Sequence, residues 1–256
     1  MSNEKKSKRQ ERREKIRKQE SRSRLVMIVL IVLGASLLVF AFVWPSLRPM
    51  ADVVAIDPGT HPNPNDNSMG DSNAPIKIEE FSDFQCPYCE RFHEETEPLL
   101  RQYYIDTGKV LFTYRSMGNW VSRNVGGAST ESQDSALAAY CAGEQNKFWE
   151  MHTLLFANVL GEDVGSFTDK RIKAIAEKVD GLDTSRFNDC YDSGKYEDRV
   201  QQDMEDGLAA NINGTPGFLV TYTVNGETKS KLIEGAQPFS AFQQEIEAAL
   251  NEMGTQ

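Results

Sequence analysis

Ile76-Lys77-Ile78-Glu79-Glu80-Phe81-Ser82-Asp83-Phe84-Gln85-Cys86-Pro87-Tyr88-Cys89 is the stretch that decides the fold. Residues 76–81 alternate and then turn apolar, the pattern of a strand entering a core. Pro87 falls in the first turn of a following helix, where a missing N–H costs nothing. The two cysteines bracket that turn. Cysteines two residues apart can close a small disulfide or open to a dithiol. The unpaired N–H groups and dipole at a helix start stabilise a thiolate on the first sulfur. That is the chemistry of thiol–disulfide exchange. Half of a zinc site has the same spacing, but zinc needs a second close pair or histidines at matching positions. Cys141 and Cys190 lie far apart, and His61 falls in a linker-like stretch, so the spacing favours redox chemistry over a metal.

Reading downstream, the helix runs past Phe92, is kinked near Pro98 and continues to Tyr104. After Thr107-Gly108, residues 110–114 form a second strand, and strand–helix–strand implies a parallel pair with a right-handed crossover. A long helical region follows over 135–155. Ile172, Ile175, Ala176 and Val179 mark one face of another helix, and 183–191 and 199–210 give two more. Residues 217–224 are a strand, Asn225-Gly226 is a two-residue hairpin turn, and 229–233 returns antiparallel. A helix over 239–250 closes the domain. The order predicts an α/β thioredoxin fold over 75–256 with a helical insertion at about 117–213.

Reading upstream, residues 1–24 carry eleven cations against four glutamates, a net +7. The chain as a whole is −10, so the remainder is −17. Leu25 to Trp44 is twenty residues without charge or proline. At about 1.5 Å per residue it reaches ~30 Å, the thickness of a bilayer core. A secretory signal peptide also begins basic, but its apolar region is shorter and ends at a small-residue cleavage site, which Phe42-Val43-Trp44-Pro45 is not. The reading is a transmembrane anchor at 25–44 behind a cytoplasmic basic tail at 1–24, placing everything after Trp44 outside the cell membrane. A basic nucleic-acid arm is the competing account of the tail, but it abuts the span, and the acidic outer part argues against nucleic acid as a partner. Residues 45–74 turn rich in Pro, Asn, Asp, Gly and Ser, which predicts a flexible linker.

All four cysteines lie in the outward part, which suits an oxidising compartment. With Cys86 and Cys89 paired by proximity, Cys141 and Cys190 are left to each other. A structural disulfide is expected there, with two buried thiols as the alternative.

Further motifs stand with these: Gly70-Asp71-Ser72-Asn73-Ala74-Pro75, Cys141-Ala142 with Lys147-Phe148-Trp149-Glu150-Met151-His152, and Gly214-Thr215-Pro216. Together with 80–89 they resemble the DsbA-like family of thiol:disulfide oxidoreductases, in its membrane-anchored or secreted bacterial branch, over about 70–253. The resemblance implies that Cys86 is the nucleophile and Cys89 the resolving thiol. It implies that Pro216 is a cis-proline opposite them, holding Thr215 so that its backbone pairs with an extended substrate; an ordinary trans proline opening a strand is the alternative. It also implies a buried acid under the cysteines, at Glu80, that relays a proton to the resolving thiol. Glu79 competes for that role, since strand alternation turns one of the two to solvent. Asp83 reads as a solvated turn residue, His93 as a surface histidine, and Trp149 and His152 as packing. Tyr88 departs from the histidine that many DsbA proteins carry between the cysteines, so a strongly oxidising potential does not carry over.

The expected function is an anchored oxidase that introduces disulfides into unfolded or newly exported cysteine-containing proteins. No cofactor is expected beyond the disulfide itself. The resemblance implies reoxidation by a quinone-coupled membrane partner of the DsbB or VKOR type. A tethered reductase or isomerase reverses the flow with the same residues. A non-catalytic chaperone module is a third reading, against which the two intact cysteines argue.

Overall fold

A computed structural model describes residues 2–47 and 50–254. They fall into two compact units, 1–50 and 51–256, each described by itself.

The first unit is one helix, α1 (Ser2–Leu47). Residues 12–41 within it are long and apolar enough to cross a membrane, with a mean hydropathy of 2.6 over the most apolar window. Leu25, Ile28, Leu30, Ile31, Leu37 and Leu38 are all exposed, so the apolar surface runs around the helix and is not one core-facing stripe. The basic tail is helical as well, without a break before the apolar run. Lys, Arg, Glu and Gln are good helix formers, and Glu4, Glu11, Glu14 and Glu20 each have a cation four residues later, the favourable orientation for such pairs.

The second unit is built on a five-stranded sheet in the order β1-β3-β2-β4-β5. The strands are β1 (Ser68–Met69), β2 (Ile76–Ser82), β3 (Val110–Ser116), β4 (Gly217–Val224) and β5 (Glu227–Glu234). β2 is central: it pairs parallel with β3 and antiparallel with β4, with Glu80 opposite Tyr114 on one side and Phe218 on the other. Asn225 and Gly226, both at positive φ, make the β4–β5 turn. One edge is a strand of two residues and the other carries half-buried Lys229 and exposed Lys231, features that discourage edge-to-edge pairing.

Between β2 and β3 lie α2 (Pro87–Glu95), α3 (Glu97–Leu100) and a π-helical turn, Arg101–Ile105. The expected kink falls at Thr96, two residues before Pro98. The insertion between β3 and β4 is α4 (Trp120–Asn124), α5 (Glu131–Gly143), α6 (Phe148–Ala157), α7 (Asp169–Ala176), α8 (Thr184–Asp192) and α9 (Glu197–Ala209), and α10 (Phe239–Gly254) follows β5. The helix expected over 135–155 is two helices, because Asn146 takes a positive φ of 56° and turns the chain. Aromatic side chains fill the core, with Phe92 against Phe112, Phe218 and Phe242. Gly207 of α9 is fixed by close approach: a Cβ there would lie 2.7 Å from the Phe81 ring and 2.8 Å from the Met117 sulfur.

The flexible linker expected at 45–74 is corrected by the structure. Its first residues belong to α1, and from Ala51 onward it is strapped to the second unit. Buried Arg171 donates to the carbonyls of Ala51 (2.9 Å) and Asp52 (3.2 Å), and the Asn158 amide pairs with both backbone groups of Val54 (2.8 and 2.9 Å). His61 stacks on Trp149, whose indole N–H donates to Ser68 O (3.0 Å). Gly70 sits so close to β3 that a Cβ would lie 2.6 Å from Val110 O. Polar composition is a poor guide here because the strap is held by side chains a hundred residues away.

Cys141 of α5 and Cys190 of α8 are joined by a disulfide across 49 residues of sequence. Loop closure of that length restricts the unfolded chain by at most about 4 kcal/mol. The double variant Cys141→Ala, Cys190→Ala should therefore lose roughly 2–4 kcal/mol of stability in a denaturant titration of the full chain in detergent, while the titration of Cys86 stays unchanged.

Candidate functional site

Cys86 is the N-cap of α2, in an extended conformation (φ −76°, ψ 119°), with Pro87 in the first turn. Its N–H donates to Asp83 O (3.0 Å), and its carbonyl accepts from Glu90 N–H (3.1 Å). Cys86 is 5 % exposed, and Cys89, one turn inward, is fully buried. Both are unbonded thiols. Across from them the Thr215–Pro216 bond is cis, and the Cys86 thiol donates to Thr215 O at 3.4 Å. Ile212, Asn213, Gly217, Leu232 and Glu234 line a shallow pocket of about 280 Å³ beside that loop.

The two sulfurs are driven apart in acidity. A hydrogen bond from Cys89 is the largest influence on Cys86. Against the opposing effect of burial, and with help from Thr215 and the N–H groups of Cys89 and Tyr88, it brings the Cys86 thiol down to about 7. Burial pushes Cys89 well up, and the neighbouring Cys86 and Glu80 add to it. At pH 7 a thiol of pKa 7 is about half ionised, against about one part in a hundred at pKa 9. Its intrinsic nucleophilicity falls roughly tenfold over the same interval, so the net gain is about fivefold. Tyr88 is 56 % exposed under the Arg91 guanidinium (5.1 Å), so no cation from that position faces the sulfur.

Strand alternation separates the two glutamates. Glu79 turns outward to pair with Arg115 (2.8 Å), whereas Glu80 is 2 % exposed. Burial, with smaller contributions from the charges of Glu97 and Cys86, raises the Glu80 carboxyl to about 8. Sequence reasoning missed two residues here. Asp83 is no solvated turn residue: it is buried, accepts from Gln85 N–H (2.9 Å) and Val121 N–H (2.9 Å), and burial lifts it to about 6. Its Asp-x-Gln placement is an Asx-turn pattern that the sequence does carry. Gln85 beside it donates to Ser122 (2.9 Å) and Ser132 (2.8 Å) and accepts from Asp163 N–H (2.7 Å), tying the active-site loop to the insertion. No local signal announces that. His93 is half-buried and bonded to Glu97, where the sequence suggests a surface histidine, and His152 packs among aromatic rings as expected.

A thioredoxin family model matches residues 62–248. The chain belongs to the thioredoxin family. Within that family its fold is DsbA-like. The structure of oxidised BdbD from Bacillus subtilis superposes with a TM-score of 0.60 at 21 % identity, over 78 % of this chain and 99 % of that one. The "Probable disulfide bond formation protein D" of Bacillus anthracis is 24 % identical over 154 residues, 60 % of this chain and 68 % of its own length. The Na(+)/H(+) antiporter NhaA 3 of Salinispora tropica is 32 % identical over 168 residues, which is 66 % of this chain. The thioredoxin-family chain spans only 22 % of the length of that antiporter and of NhaA 1 from Salinispora arenicola.

Two measurements check the electrostatics. Thiolate absorbance against pH, in the reduced full chain, should give a Cys86 midpoint near 7. In the oxidised chain, where the cysteines do not titrate and Cys86 adds no charge, burial still holds the folded Glu80 carboxyl above 4.5, so over the window that opens there it keeps a proton that the unfolded chain releases. Fewer protons on the unfolded state mean that stability falls as pH rises through that window. Glu80→Gln should flatten the fall and add about 3 kcal/mol at pH 7, read by denaturant titration at several pH values.

Proposed function

We propose that this protein is a membrane-tethered thiol–disulfide oxidoreductase that donates the Cys86–Cys89 disulfide to cysteine pairs in unfolded or newly exported proteins. One observation carries the reading: an acidified Cys86 at a helix N-terminus faces the Thr215–Pro216 backbone, above a fully buried Cys89 of raised pKa. The named likenesses to disulfide bond formation proteins support it.

The residues take complementary parts in the cycle. A client thiolate attacks Cys86 Sγ of the disulfide, forming a mixed disulfide and expelling Cys89 as a thiolate. Buried in that form, Cys89 takes a proton, and Glu80, protonated at neutral pH, is placed to give it. A second client thiolate then attacks the client sulfur and expels Cys86. A low pKa favours a leaving thiol, so the release of Cys86 is eased. Two electrons have passed from client to enzyme, and the client keeps the disulfide. Thr215 would offer backbone groups to an extended client, with the adjoining pocket taking side chains of varied kind. The disulfide is itself the redox group, so the exchange uses no other cofactor.

α1 supports an uncleaved anchor, with the basic tail in the cytoplasm and the catalytic unit outside. A quinone-coupled membrane reoxidase of the DsbB or VKOR type would restore the disulfide. In the reverse reading, a tethered reductase, Cys89 must be deprotonated in its buried setting each turn, which the geometry favours less.

The reduction potential of Cys86–Cys89 in the full chain, equilibrated against glutathione buffers, decides the direction. A value near or above about −180 mV supports donation of disulfides, and a value near about −270 mV would sink it in favour of a reductase. Cys89→Ser should accumulate mixed disulfides with clients through Cys86, visible on non-reducing gels.

A further inference from the structure

Away from the cysteines, at the other end of α2, three side chains from different segments converge. His93 Nδ1 lies 2.7 Å from Glu97 Oε2, and with His152 of α6 they form a group whose potential ligand atoms all lie within 4.8 Å of one another. Glu97 and His152 are each 1 % exposed. Neither ring nitrogen of His152 has a hydrogen-bond partner. Its neighbours are rings: Phe84, Tyr114, Phe156 and, edge-on at 4.9 Å, the imidazole of His93. A buried imidazole with both nitrogens unpaired is costly and rare. Here the side chain is aimed at a histidine and a carboxylate, the two other donors of a metal set.

We propose that His93, Glu97 and His152 bind a divalent transition-metal ion of the zinc class. Two imidazoles and one carboxylate suit such an ion, leaving a fourth position open. Tetrahedral zinc with bonds of about 2.1 Å holds its ligand atoms about 3.4 Å apart. Ligand atoms up to 4.8 Å apart would close by at most about 1.4 Å and the 2.7 Å His93–Glu97 pair would open by about 0.7 Å, with the ion replacing the proton that the pair shares. Arg101 stands 3.8 Å from Oε1, the other carboxylate oxygen, and leaves Oε2 facing His93. The His93 side chain is 16 % exposed, which gives the ion a way in. His61, with a buried and unpartnered Nε2, stacks on the same Trp149 that meets His152 edge-on at 5.1 Å. The ion would pin the active helix to the insertion, and it takes no part in the thiol exchange.

A dithiol can compete for zinc, so the test uses the full chain in detergent with Cys86–Cys89 oxidised and metals stripped by chelator. Titration with zinc chloride should give one ion per chain and a raised melting temperature. His93→Ala and Glu97→Gln should each weaken binding at least ~100-fold, beyond the 10–100-fold that loss of a supporting residue costs. Cobalt(II) in place of zinc should give tetrahedral visible bands without thiolate charge transfer. No zinc retained by the oxidised wild type, or equal affinity in both variants, overturns the proposal. Should either variant fail to fold, the wild-type stoichiometry and the cobalt spectrum decide by themselves.

Discussion

The second unit is organised around one electrostatic constraint: an ionisable thiol and a carboxyl are buried beneath the first turn of α2. Neither Cys89 nor Glu80 can be charged there without loss, and both are held towards their neutral forms by burial. The charge that the site does accommodate is placed on Cys86, the one sulfur within reach of the helix N–H groups and of the opposing loop. The rest of the architecture keeps that division in place. β2 is flanked on both sides, so Glu80 is covered by Tyr114 and Phe218. Gly207 lets α9 press onto Phe81, and the Gln85 amide fixes the loop that sets where the helix begins.

That division favours one direction of flow in the proposed cycle. A thiol near 7 leaves a mixed disulfide readily, while a neutral, buried partner recaptures it only after losing a proton. The advantage is modest. With Tyr88 exposed and no cation supplied from its position, about half of Cys86 is ionised at neutral pH, and stabilisation of the reduced state from this source stays small. The potential therefore depends on the whole pair and not on the thiolate alone, which is why the direction is the part of the function that must be measured.

The geometry of the candidate site was legible in the sequence because its determinants are local: a strand, a proline at a helix start, two cysteines one turn apart. That only one of Glu79 and Glu80 is buried followed from alternation, with the resemblance pointing to Glu80, and the Asn225-Gly226 turn followed from its residue types. What escaped the reading is non-local. The strap over 51–74 has the composition of a tether, yet Asn158 and Arg171 capture its backbone from the insertion. Asp83 looks like a turn residue and is one, but the Val121 N–H that completes its cage belongs to α4. His93 and His152 are 59 positions apart, and nothing in their spacing says that α6 lays one against the other.

The two ends of α2 fit the same physical rule. A helix favours negative charge at its N-terminus and positive charge at its C-terminus, each worth about 0.3–1 kcal/mol where exposed and more where partly buried. In this chain the first turn carries the thiolate of Cys86, and the last turn carries His93, with Glu97 and His152 beside it. A divalent ion on those three residues would place its charge at the end of the helix whose dipole attracts it. Cys86 and the ion would then act along one short axis with opposite signs, each in the field that suits it. The helix also connects the two parts of the unit: its start is set by the loop from β2, and its end by contacts with α6. Fixing the far end by metal coordination would restrain the helix start indirectly, through nine residues of backbone and without touching either sulfur.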